Sequence, residues 1–122
     1  MDSRFEAKEQ NSARYTAVIK DEAGAAVSVD SLVTLTLTLY DQDTETILND
    51  REDQDVLNAN GVTVDINGAL VWLLEPEDNE IVNDGKRYED HVALFEFTYG
   101  AGGAKAGTWE VLLTVRNSQV VV

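Results

Sequence analysis

Between Leu32 and Tyr40 apolar and polar side chains alternate with a period of two. Val33, Leu35, Leu37 and Leu39 take the odd positions; Thr34, Thr36, Thr38 and Tyr40 take the even ones, and Leu32 is the exception. Successive side chains of a strand point to opposite faces, so this pattern predicts a strand with one buried and one wetter face. The pattern recurs at Trp109, Val111, Leu113 and Val115, opposite Thr108, Glu110, Thr114 and Arg116, with Leu112 out of phase. Trp109 is therefore expected in the core.

Shorter stretches agree. Tyr15, Ala17 and Ile19 alternate with Thr16, Val18 and Lys20, and Asp21-Glu22-Ala23-Gly24 then signals a turn. Val62–Ile66 and Ala69–Leu74 flank Asn67-Gly68, a strong hairpin signal. A strict two-residue loop would leave Trp72 on the polar side. A type I turn starting at Asp65, with Gly68 as the left-handed bulge residue, shifts the pairing by one. Val62 and Val64 then share a buried face with Leu70, Trp72 and Leu74, which makes this the expected register. Pro76 closes that strand, and Glu77–Val82 has room for one helical turn. His91–Tyr99 reads as a strand with two rather apolar faces, and Gly100–Gly107 as a flexible loop. About seven short strands with turn signals between them predict an all-β sandwich or barrel.

At 122 residues the chain is the size of one domain and needs no disulfide, which suits a sequence without cysteine. Residues 1–13 are polar and mixed in charge, unlike a secretory signal, and are expected to form a flexible N-terminal arm. Residues 14–122 are expected to form a single domain. No apolar run is long enough to span a membrane. Nine basic against 23 acidic residues give a net charge of −14, a field that repels phosphate backbones and anionic lipid. Neither nucleic acid nor membrane is an expected partner. The acidity reads either as a face for a basic partner or as a well-solvated surface.

Candidates for chemistry are few. His91 is the only histidine and reads as a structural or surface residue. Ser3, Ser12, Ser28, Ser31 and Ser118 stand in no nucleophile motif. Gly100–Gly107 lacks the following helix that a phosphate cradle needs. No enzyme activity, cofactor or metal is expected. The nearest approach to a metal motif is Asp41, Asp43, Glu45 and Glu52, whose offsets match positions 1, 3, 5 and 12 of a calcium-binding EF-hand loop. Thr46 stands where that loop needs glycine, and strands flank it, so a solvated turn is the simpler reading.

Tyr40, Tyr88 and Tyr99 lie at strand ends, where they either close the core or form interface contacts. Val120-Val121-Val122 either completes the last strand or adds to a neighbour's sheet. These six residues are the expected interface positions.

A further set of features spans Tyr15 to Asn117: Ser31–Asp41, Val56–Val62, and the Trp72 strand followed by Leu74-Glu75-Pro76-Glu77-Asp78. His91–Tyr99 then leads to Trp109-Glu110-Val111 and Val115-Arg116-Asn117. On these the chain resembles small proteins encoded among phage structural genes. Its layout is similar to the immunoglobulin-like N-terminal domain of phage baseplate and receptor-binding proteins. The resemblance implies an immunoglobulin-like antiparallel β-sandwich located in the virion, foremost as a capsid decoration or accessory protein on the head surface. The implied partners are the major capsid protein or neck and tail proteins, with the chain as a homo-oligomer in the assembly. A neck, tail or baseplate component is the adjoining alternative. A cell-surface carbohydrate- or protein-binding module is the competing one.

Overall fold

The Leu32–Tyr40 leucines become the inner face of a long strand. The computed structural model describes residues 3–8, 11–83 and 85–117. Among them are strands β1 (Ser3–Lys8), β2 (Ala13–Val18), β3 (Leu32–Asp41), β4 (Gln54–Asp55), β5 (Val62–Val64), β6 (Ala69–Leu74), β7 (Tyr88–Tyr99) and β8 (Lys105–Arg116). One sheet runs β1-β8-β7-β3-β4 and the other β2-β6-β5. Buried side chains from both sheets form one core cluster, so the fold is an all-β sandwich.

Leu35, Leu37 and Leu39 are fully buried, while Thr36, Thr38 and Tyr40 face outward. A register shift between Leu32 and Thr34 turns Leu32 into the core and leaves Val33 exposed, which explains the break in alternation. The hairpin adopts the expected bulged register. Val62 pairs with Trp72 and Val64 with Leu70. The Gly68 N–H donates to the Asp65 carbonyl, Gly68 has a φ of +76°, and Asp65 Oδ1 accepts the N–H groups of Asn67 and Ala69. Glycine is required at that angle, because an L side chain would meet the Val27 backbone.

Two expectations give way to a different structure. Within the stretch expected to be an arm, Ser3–Lys8 is an edge strand paired in parallel with β8, Ser3 opposite Val111 and Lys8 opposite Arg116. Its partner lies more than a hundred residues away, so no local turn announces it. The expected Gly100–Gly107 loop is shorter. A 3₁₀ turn covers Ala101–Gly103, and Lys105 already pairs with Tyr99. Gly107 is a strand residue, and it is glycine because the Phe97 ring occupies the space of a Cβ. The turn expected after Pro76 is a 3₁₀ helix over Pro76–Asn79.

The centre of the core is aromatic. Trp72 from the smaller sheet stands edge-on to Phe95 from the larger, with ring centroids 5.7 Å apart. Phe95 stacks on Trp109 at 4.6 Å and on Tyr15 at 6.3 Å. Trp109 is only partly buried, whereas Trp72 and Phe95 are closed off completely. Beside Trp72 the guanidinium of Arg51, 1% exposed, lies 5.7 Å from the indole centroid. Its Nε donates to Asp78 Oδ1 at 2.5 Å and its Nη2 to Oδ2 at 3.1 Å; its Nη1 donates to Gln54 Oε1 and the Asn60 carbonyl. This fork ties the β3–β4 connection to the turn after β6.

Candidate functional site

Inward-facing positions of β7 are odd-numbered from Glu89 to Tyr99. In the middle they supply Ala93 and Phe95. Toward one end of the sandwich, the same alternation directs Glu89 and His91 inward. Asp41, the last residue of β3, is the register partner of His91. Asp41, Glu89 and His91 are 2%, 3% and 0% exposed. One ligand-type atom from each lies within 4.8 Å of the others, the sole such cluster of three among the described residues.

His91 Nε2 is 2.6 Å from Glu89 Oε1 and 3.9 Å from Asp41 Oδ1. Glu89 is held from behind: Oε1 accepts the Val82 N–H at 2.7 Å and Oε2 the Asn83 N–H at 2.8 Å. Asp41 Oδ2 accepts both the N–H and the hydroxyl of Thr44, each at 2.8 Å. Asp41 Oδ1 and His91 Nδ1 are buried and have no hydrogen-bond partner. Isolated buried charges are costly, so two enclosed carboxylates need a cation, a proton or both. His91 is fully enclosed and Glu89 nearly so. The alternation expected from His91 onward, extended two residues back, is the signal that would join Glu89 to His91; the contribution of Asp41 depends on the β3–β7 register.

The four residues at EF-hand spacing are not gathered into one site. Asp41 points into the sandwich, whereas Asp43, Glu45 and Glu52 are exposed. Asp43 binds Lys86, and Glu45 has a φ of +62° in the turn. The chain leaves extended geometry after Asp41, so the later carboxylates no longer share its direction.

The expected interface tyrosines have three different environments. Tyr88 is exposed. Tyr40 is half-buried on the outer face of the larger sheet beside Val92, and burial, then the charges of Glu110 and Glu45, push its phenol pKa up. Tyr99 closes the core at the end opposite His91, donating to Glu22 Oε2. Val120, Val121 and Val122 lie outside the described residues.

The Glu22 bond holds the Tyr99 phenol up, from 10.0 to about 12, and holds the Glu22 carboxyl below its ordinary range. Tyr99 thus keeps its proton to higher pH in the folded chain than in the unfolded one, and stability declines as pH rises from 10.0 to about 12. In an ultraviolet titration, Tyr99 is expected to give a late phase at about pH 12. Tyr99→Phe should remove that phase. If the late phase persists in the variant, the assignment to Tyr99 is wrong.

Around Tyr99 lies a second candidate site. β1 pairs with β8 only over Val111–Arg116, so the outer edge of β8 near Lys105–Thr108 has no partner strand among the described residues. The edge of β2 facing it is likewise unpaired. Between the two edges runs a groove of about 450 Å³ whose lining includes Tyr15, Phe97, Tyr99 and Trp109. Val18 and Ala106 stand exposed at its rim. Open edges of this kind are templates for strand addition. No protein-family model matches the chain, and no curated protein matches its sequence.

Proposed function

We propose that this chain is a non-enzymatic structural module of a larger assembly, an immunoglobulin-like sandwich that docks a neighbour's extended segment along the open β8 edge. The observation that carries this reading is the groove between β2 and β8, at edges that no strand among the described residues covers, floored by aromatic side chains. Backbone groups at such an edge offer hydrogen bonds to an incoming strand, and the rings offer pockets for its alternate side chains. The strand layout supports the immunoglobulin-like part. The chain changes sheet between β1 and β2, β2 and β3, β4 and β5, and β6 and β7, as Greek-key sandwiches do.

The sequence resemblance supports placing the assembly in a phage virion, with head decoration as the foremost role and neighbouring virion proteins as partners. The acidic surface suits a module that joins a basic neighbour without binding copies of itself at random. The test combines solution mass with co-sedimentation on phage heads and on tails. The native protein should associate, and a Val18→Lys/Ala106→Lys variant, altered only at the exposed rim, should lose association while melting as before. A native protein that stays monomeric and sediments with neither heads nor tails overturns the assembly reading. Undiminished association of the variant removes the groove from it.

A further inference from the structure

We propose that Asp41, Glu89 and His91 form a buried site for a divalent cation of the zinc class. The inference is independent of the docking groove, which lies at the opposite end of the sandwich. The site is more than an accumulation of acids. It contains the chain's only histidine, and it contains Asp41 Oδ1, a carboxylate oxygen of a residue 2% exposed, unpartnered and 3.9 Å from His91 Nε2.

Charge is the first argument. Two enclosed carboxylates bring up to two negative charges into the sandwich, which one divalent ion cancels. A hydrogen bond from His91 Nε2 to Glu89 satisfies one carboxylate and leaves Asp41 Oδ1 without a partner. An ion among the three atoms serves all of them at once. Geometry is the second argument. Ligand atoms around a tetrahedral zinc lie about 3.4 Å apart, given metal–ligand bonds of about 2.1 Å. The two separations from Nε2, 2.6 and 3.9 Å, bracket that value.

The ligands are also braced from outside. The Val82 and Asn83 N–H groups orient Glu89, and Thr44 holds the second oxygen of Asp41. In the bound state His91 Nδ1 carries the ring proton and is the one polar atom that the ion does not satisfy. One nitrogen with two carboxylates favours a borderline cation over calcium, which prefers an all-oxygen shell. Three protein ligands leave the fourth position for water or the second oxygen of a carboxylate. Val82 and Asn83, whose N–H groups pin Glu89, are themselves exposed.

The test uses the full chain, stripped with a chelator and then titrated separately with zinc and with calcium. Expected are one zinc per chain, a rise in melting temperature with zinc, and no comparable rise with calcium. Cobalt in place of zinc should give a visible spectrum of mixed nitrogen and oxygen ligation. Asp41→Asn, nearly isosteric, should weaken zinc binding more than about tenfold, at least the loss seen when an outer-shell partner is removed. In the native chain, zinc should also shift or broaden the single histidine's NMR signals, a readout that needs no variant to fold. Absence of saturable zinc binding overturns the proposal and leaves His91 as a hydrogen-bonded partner of Glu89. Zinc binding that leaves the histidine signals unmoved, or that Asp41→Asn does not weaken, overturns it as well, because the ion then sits on the acidic surface.

Discussion

Arg51→Ala is expected to destabilise the fold by about 3–5 kcal/mol, the range for breaking a buried ion pair from one side. The loss arises less from the missing attraction than from what remains. Asp78 is fully buried, and without Arg51 its carboxylate keeps only the donors of Asn49 and the Glu75 N–H. Gln54 Oε1 and the Asn60 carbonyl lose a donor at the same time, and the Trp72 face loses the guanidinium stacked over it. Arg51→Lys should recover little. An ammonium is a point charge and cannot present the fork that meets both Asp78 oxygens, Gln54 and Asn60 together. Urea unfolding checks this: the midpoint should fall while the slope stays unchanged. A loss below about 1 kcal/mol would show that the pair behaves like a surface bridge and that its enclosure is wrong.

Trp72→Ala is expected to cost a similar amount, about 3–5 kcal/mol, through the cavity left in the aromatic centre. Trp72 meets Phe95 and Tyr15 edge-on and lies under Arg51, so its removal strips contacts from both sheets and from the ion pair. Trp109→Ala should cost less, because Trp109 is partly exposed and its loss opens toward the groove. Trp72→Phe is the informative control. It retains a ring and removes an indole N–H that is buried without a partner, so its cost should be well below that of alanine. Equal losses for Trp72→Ala and Trp109→Ala would contradict the packing described.

These two expectations mark the boundary between local and long-range information. Trp72 was assignable to the core from residues 62–74 alone, because a turn at Asp65 with Gly68 left-handed is the register that buries its neighbours. Arg51 carries no such signal. It sits in an irregular, strongly charged stretch and looks like any solvated arginine until Asp78, 27 residues on, folds against it. The parallel partner of β8 was hidden for the same reason: pairing of Ser3–Lys8 with Val111–Arg116 leaves no periodic trace connecting the two segments.

The two candidate sites divide along the same line. Alternation puts Glu89 and His91 on one side once β7 is extended back from His91, and the faces of β3 and β7 and the hairpin register are equally read locally. Asp41 joins them only because β3 pairs with β7 so that it falls opposite His91, while Asp43, Glu45 and Glu52 remain outside. The groove likewise depends on distant placement: among the described residues β1 pairs with β8 only over Val111–Arg116, and β2 is an edge strand of its own sheet. Period and turn chemistry act within a few residues. Sheet order, register between distant strands and enclosure of charge are settled when the two faces close on each other, since only then does burial penalise every pairing that leaves an apolar face or an ion in the wrong place.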